Sequence, residues 1–381
     1  MWRAARAGWR ARSRRLYRVS RRNRNCFETR PIPDRIYLDH AATTPLRPEA
    51  KAAMEEGFRI WANPSSPHAE GRKARAALED ARERIKRALA WEGEVIFTSG
   101  ASEAAALALH QADAGKRLVS AVEHDCILQA APDAQRLAVQ ENGQIVWEDF
   151  AEALDTDRPI VALQHANSET GSQQIHVVAH EMTQKANGLL LADCAQTAGK
   201  INLPECDMAI ISAHKFGGPI GIGALLIRDY AMLKPSGGHE RGYRRGTENL
   251  PGILGMAAAL DCTEYWSSDA PSALYELEED CKALGGTWLE NRLAAGTWYI
   301  QAISMPNLSA TAQVMRFDMA GIAVSQGSAC SSGTMKTSRV LEAMQVEPEI
   351  AANTIRVSLG WNTTRAEVER FCEVWLDLAR S

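Results

Sequence analysis

Two polar residues close apolar runs that lie one crossover apart. Asp193 ends GLLLAD (188–193), and Lys215 ends DMAIISAHK (207–215). A carboxylate at the end of a buried strand needs a partner, because an unpaired buried charge is costly. A lysine in SAHKFGGPIG, between a strand and a glycine-rich turn, loses hydration. Its pKa then falls and its amine becomes a candidate Schiff-base nucleophile. Taken singly, Asp193 would do as a helix cap or ion-pair partner, and Lys215 as a surface lysine at a loop start. If the two runs are neighbouring parallel strands, both residues reach the same sheet edge. An acid and a lysine together there suit pyridoxal phosphate. The lysine would hold the aldehyde, and the acid would keep the pyridine nitrogen protonated so that the ring accepts electrons.

Such a cofactor needs a phosphate seat. FTSGASEAAALAL (97–109) reads as strand, glycine turn and helix start, with Ser102 at the helix N-terminus and Glu103 beside it. Free backbone N–H groups and the positive end of the helix dipole bind phosphate, although a serine there also makes an ordinary cap. Ser212 and His214, beside Lys215, would add side-chain donors, and Gln196 puts a second polar group after Asp193. His124, in AVEHD, is expected to close another strand at this edge. It would be either a structural histidine or one that stacks on a planar ring and carries protons. Cys330, in AVSQGSACSSGTMK, is surrounded by small and hydroxylic residues, the setting of an exposed loop thiol and a candidate nucleophile. Arg356 lies inside the apolar run of NTIRVSLG. An inward arginine needs an anion, whether a substrate carboxylate or a nearby glutamate.

These positions require strands that alternate with helices. EVIFTSG (94–100), RLVSAVEH (117–124), PIVALQHA (159–166), GLLLAD, DMAIISAHK and IGALLIR (222–228) read as short buried strands. KARAALEDARERIKRAL (73–89), VVAHEMTQKA (177–186) and RAEVERFCEVWLDLA (365–379) have helical spacing. Strand–helix repetition implies an α/β fold, a mostly parallel central sheet with helices on both faces. Ligands in such sheets bind outside the carboxyl ends of the strands. We expect a large α/β domain over 35–260 and a smaller α+β C-terminal domain over 261–381, with SSDAPS (267–272) as the linker.

Residues 1–34 form an Arg-rich extension, expected to be disordered. Residues 1–30 hold eleven arginines against Glu28, a charge of +10, so a net charge of −4 leaves −14 on the rest. A body this acidic makes nucleic acid a poor partner. No apolar run approaches the roughly 18 residues of a membrane span. The eight cysteines include no C-x-x-C pair, so a zinc knuckle or a redox dithiol is not indicated and reduced thiols are expected. That logic, with no secretory signal, points to the bacterial cytoplasm, an organelle being the lesser alternative.

The motifs together resemble one family, the pyridoxal-phosphate cysteine desulfurases of the NifS/IscS type, with the fold-type I architecture. The match runs through YLDHAATTP (37–45), NPSSPH (63–68), TSGASE, VEH (122–124), HANSETG (165–171), DCAQ (193–196) and SAHK (212–215). It continues through GGHERGYRRGTEN (237–249), GSACSSG (327–333) and IRVSLG (355–360). The resemblance implies Lys215 as the Schiff-base lysine, Asp193 on the pyridine nitrogen, Gln196 near the phenolic oxygen and His124 stacked on the ring. It implies phosphate contacts at Ala101, Ser102, Ser212 and His214, and Thr247 reaching over from the second subunit of a homodimer. Cys330 would carry the persulfide, and Arg356 would hold the carboxylate of L-cysteine. No resident metal is implied. Cys330 is where passing contact with an iron–sulfur cluster would occur.

Departures from the family pattern are informative. Ala105 and Ala106 stand where two asparagines are common, and Ser168 stands where the family's asparagine contacts the phenolic oxygen. The implied reaction converts L-cysteine to L-alanine and passes sulfur to an acceptor or iron–sulfur scaffold protein. Transamination, selenocysteine lysis and a catalytically idle sulfur-relay partner are the competing readings. A dinucleotide-binding oxidoreductase is weaker, since no G-x-G-x-x-G follows the first strand.

Overall fold

The computed structural model describes residues 35–262, 269–327 and 338–381. The Arg-rich extension and Cys330 lie outside them, and Ile36–Ser381 form one unit. Strands in chain order are β1 (Ile36–Tyr37), β2 (Glu94–Thr98), β3 (Arg117–Ser120), β4 (Gln135–Leu137), β5 (Ile160–Gln164) and β6 (Leu189–Asp193). They are followed by β7 (Met208–Ser212), β8 (Gly223–Ile227), β9 (Thr287–Trp288), β10 (Ile300–Ser304), β11 (Ile322–Ala323) and β12 (Thr354–Ser358).

Seven strands form the central sheet in the order β2-β8-β7-β6-β5-β3-β4. The run from β7 to β4 is parallel, as the alternation of strands and helices requires. β8 is the exception, antiparallel to both β7 and β2. Only Ala213–Ile222 separates β7 from β8, too little chain for the crossover that a parallel neighbour needs. A short reversal through Gly217 and Gly221, both with positive φ, is what this segment can make.

The pleat divides the apolar residues between two faces. Phe97, Leu163, Leu190 and Ile211 point into one core, and Ile96, Ala162, Leu191 and Ile210 into the other. Helices Ala69–Ala88 and Leu250–Asp261 cover the first face, and Ala101–Gln111 covers the second. Leu250–Leu260 are all buried, which explains a helix that is apolar all round. Burial on both faces is also why these strands read as continuous hydrophobic runs.

A second sheet, β12-β10-β9, is antiparallel and packs with helices Asp269–Ala283 and Arg365–Arg380 around Trp288, Phe317, Phe371 and Trp375. Leu38 and Ala41 join that core, and β1 pairs with β11, so the N-terminal segment is stitched into the C-terminal part of the chain. Two expectations need correction. Asp269–Ser272 belong to a helix rather than a linker, because Pro271 falls in the first turn, where it displaces no hydrogen bond. β3 stops at Ser120, so His124 caps helix Asp125–Ala130 instead of ending a strand. Its ring nitrogen accepts from the Cys126 N–H, as a helix N-cap requires. Among the described residues no helix is long and apolar enough to cross a membrane.

Candidate active site

The carboxyl ends of β5, β6 and β7 face a cavity of about 460 Å³. That is a small-molecule volume, within roughly 300–1,000 Å³. Ala101, Ser102, His124, Ser168, Asp193, Gln196, Ser212, His214 and Lys215 all line it. The fold thus brings nine of the sequence-derived positions together. Arg356 stands behind Ser168, whose carbonyl accepts from its Nη1 at 2.8 Å. Thr247 is exposed on the loop before helix Leu250–Asp261 and is not brought into the lining among the described residues. Cys330 lies outside the described residues.

Asp193 ends β6 and is buried. One of its oxygens accepts the Ala195 N–H at 2.9 Å. Burial pushes its carboxyl above the usual range, while that N–H, His124 and Lys215 pull the other way. A carboxylate held so uneasily is completed by a cationic N–H. Lys215 follows β7 on a short 3₁₀ turn. Its Nζ donates to the carbonyls of Ala41 at 2.6 Å and Ala42 at 2.9 Å. Burial and then the charge of Arg356 lower Lys215 to about 8. Both acceptors are neutral, so they aim the ammonium without offsetting its charge.

The helix Ala101–Gln111 supplies anion-binding geometry. Its cap is Gly100, with φ 152° and ψ −177°, a conformation open to glycine alone. No side chain caps the first turn, so backbone donors remain for a ligand. Glu103, in that turn, accepts from the Ser99 N–H at 2.5 Å and from Arg244 Nε at 2.9 Å. This pair ties the loop that bears Thr247 to the helix start. His214 meets Thr43 Oγ1 at 3.1 Å, and burial, with Lys215 and Lys200, lowers it to about 4. A neutral imidazole therefore lines the same cavity as the helix N-terminus.

Arg356 is 5% exposed. Its Nη2 donates to Asp39 Oδ1 at 2.7 Å, so the structural partner is an aspartate from the N-terminal motif rather than a glutamate. The Arg356 Nε is buried without a partner.

Sequence reasoning missed Gln164 and Cys126, which also line the cavity. Gln164 closes an apolar run just as Asp193 does, and the same rule would have found it. Cys126 sits two residues beyond His124, its Sγ 3.1 Å from the histidine Nδ1. Burial pushes that thiol up to about 12, which suits packing better than nucleophilic attack. Among the described residues no group of three or more His, Cys, Asp or Glu could hold a metal.

Pyridoxal phosphate fits this donor set. A buried carboxylate would take the ring N–H, a lysine of lowered basicity the aldehyde, and a helix N-terminus with Ser102, Ser212 and His214 the phosphate. Two buried lining side chains, Gln164 and Gln196, keep one polar atom each without a protein partner.

A family model for class-V aminotransferases matches residues 36–371. A cysteine desulfurase of Cereibacter sphaeroides is 35% identical over 377 residues, covering 90% of this chain and 95% of the relative. Among solved structures, a NifS-like protein from Rickettsia africae superposes with TM-score 0.79 and 30% identity, covering 91% of this chain and 100% of its own. SspA in complex with cysteine gives TM-score 0.73 and 27% identity, covering 86% and 100%. With this match and this cavity, the chain belongs to the class-V aminotransferase family, among its NifS/IscS-like, pyridoxal-phosphate-dependent cysteine desulfurases.

Proposed function

We propose that this protein removes sulfur from L-cysteine, releases L-alanine and keeps the sulfur as a persulfide on Cys330. The observation that carries this reading is the meeting of Asp193, Lys215 and the uncapped helix at Ala101 around one cavity. Pyridoxal phosphate, when bound, supplies an electron sink for charge left on the substrate Cα. Asp193 would accept the ring N–H and keep that nitrogen protonated. Lys215 would hold the aldehyde, yield it to the substrate amine and then take the Cα proton. Arg356 would exchange Asp39 for the substrate carboxylate. His124, at the cavity mouth, would lie over the ring and carry protons.

Cys330, as thiolate, attacks the substrate sulfur. The Cβ–S bond breaks, an S–S bond forms, and Cβ gains the proton that the thiol has lost. The net change is one thiol plus L-cysteine to one persulfide plus L-alanine. The cysteine held by SspA, at 27% identity, supports the substrate. Thr247 would complete the site of the second subunit in a homodimer, and an acceptor or iron–sulfur scaffold protein would receive the sulfur. No nucleic acid or membrane takes part in this reading.

The test is the visible spectrum of the purified protein before and after L-cysteine, with alanine and reductant-released sulfide assayed alongside. Alanine with sulfide is expected. 3-Mercaptopyruvate in place of alanine would mean transamination, and activity on selenocysteine alone would mean a lyase. Cys330→Ala should retain the cofactor's colour and its response to cysteine yet form no persulfide. Undiminished desulfuration by that variant would overturn the nucleophile.

A further inference from the structure

Gln164 ends β5 opposite Asp193 in the sheet register. It lines the cavity and is 4% exposed. Its amide cannot be turned over. The neighbouring Asn167 accepts with Oδ1 from the backbone N–H groups of Glu169 at 2.8 Å and Thr170 at 3.0 Å. Asn167 Nδ2 is therefore the donor, and it donates to Val122 O and to Gln164 Oε1, each at 3.2 Å. With Oε1 fixed on Asn167, Gln164 Nε2 is buried and has no partner. Leaving a buried amide N–H unmet is costly, so its acceptor is to be sought in what fills the cavity.

Resting on the reading that this cavity holds pyridoxal phosphate, we propose that Gln164 donates a hydrogen bond to the ring oxygen of the bound cofactor. The assignment follows from what the other groups have left. The nitrogen goes to Asp193, the aldehyde to Lys215 and the phosphate to the helix start at Ala101 and the Ser212 side. One polar atom remains, the oxygen across the ring from the phosphate arm. When deprotonated it is an acceptor, so it needs a donor. Gln164 lies on β5, on the opposite side of Asp193 from Ser212 on β7. Gln196 Nε2 gives one N–H to Ala41 O at 2.9 Å, and Ser168 offers a shorter hydroxyl donor, so Gln164 adds a buried amide donor from the β5 side. Gln164 is a binding residue that tunes the cofactor, with no part in bond breaking.

The test is a cycle of two proteins and two ligands. Wild-type apoprotein and Gln164→Met are titrated with pyridoxal phosphate and with 3-deoxypyridoxal phosphate, which lacks the ring oxygen. Methionine matches glutamine in length and flexibility, so packing is retained. The wild type should prefer the natural cofactor over the analogue about tenfold more than Gln164→Met does. The dissociation constant of the analogue should be nearly the same for both. A purely structural role would weaken both ligands equally, and an unchanged preference overturns the proposal. If Gln164→Met does not fold, the side-chain amide of Gln164 in ¹⁵N-glutamine-labelled wild type is followed instead. A downfield shift with pyridoxal phosphate and none with the analogue supports the contact, and equal shifts overturn it. Failure of the wild type to bind either ligand would sink the cofactor reading itself, and this inference with it.

Discussion

Lys215 can capture an aldehyde only as a neutral amine. An ordinary lysine, near 10.5, leaves about one amine in three thousand neutral at pH 7. Lowered to about 8, Lys215 leaves about one in ten, so covalent loading at pH 7 should run roughly three-hundredfold faster than for an unperturbed lysine. The shift comes first from burial and then from Arg356, against an upward pull from Asp193. Stopped-flow absorbance of apoprotein mixed with pyridoxal phosphate measures the loading rate across pH 6–10. Borohydride trapping identifies Lys215 as the site, and free N-acetyl-lysine is the reference for the cofactor's own titrations. Below the inflection the protein's rate should rise tenfold per pH unit, and it should level off above pH 8, where the free lysine still climbs. The two charged neighbours move the inflection in opposite directions. Arg356→Gln should raise it, since a positive charge that disfavours the ammonium is gone. Asp193→Asn should lower it, since the ammonium loses a stabilising charge. A protein rate that climbs tenfold between pH 9 and 10 would refute the argument, as would inflections that ignore both substitutions.

Other substitutions follow from single contacts. Asp193→Asn should weaken pyridoxal phosphate binding by about ten- to a hundredfold, the range for a hydrogen bond between charged partners, while the apoprotein melts no lower than wild type. Equilibrium titration and a thermal scan check this. Arg356→Lys keeps the charge but loses the bidentate fork, so KM for L-cysteine should rise about tenfold or more with a smaller change in kcat. Glu240→Ala strands the buried Arg82, which now meets Glu240 at 2.9 Å. That should cost about 3–5 kcal/mol and lower Tm by roughly 5–10 °C, read by calorimetry.

Much of the site was legible because one rule generates it. Apolar runs ended by polar residues mark the carboxyl ends of buried strands, and in a parallel sheet those ends share an edge. Asp193 and Ser212 obey that rule, and Lys215 lies just past a strand end. Gln164 obeys it too, but it stands where the resemblance offered no functional residue. What hid from the sequence is contact that depends on reversal or on distance. β8 turns antiparallel because its link to β7 is short, which the spacing allowed but the hydrophobic pattern could not say. His124 moved from strand end to helix cap because β3 stops at Ser120, and an apolar run cannot show where pairing ends. The ion pair of Arg356 with Asp39 joins residues 317 positions apart, and nothing local in either sequence marks it.

That last contact is part of a wider arrangement. The stretch Asp39–Thr43 meets four site residues at once. Asp39 takes Arg356, Ala41 takes both Lys215 and Gln196, Ala42 takes Lys215, and Thr43 Oγ1 takes His214. Under the proposed reaction Arg356, Lys215 and His214 each have a second partner in cofactor or substrate. Placeholders that must give way should be weak, and their chemistry fits. Ala41 and Ala42 offer neutral carbonyls, so their hold on Lys215 weakens once it loses its proton. Asp39 is charged, but its side chain is 22% exposed against 6% for Arg356. Water can therefore solvate the displaced carboxylate, while the arginine keeps its buried position and accepts a new anion. The stretch is anchored by β1 on β11 and by the Ala41 N–H on Ser358 Oγ at 2.9 Å, at the end of β12 that follows Arg356. The N-terminal motif thus sets the spacing between the lysine that follows the central sheet and the arginine of the C-terminal sheet, and this explains why both depend on residues so early in the chain.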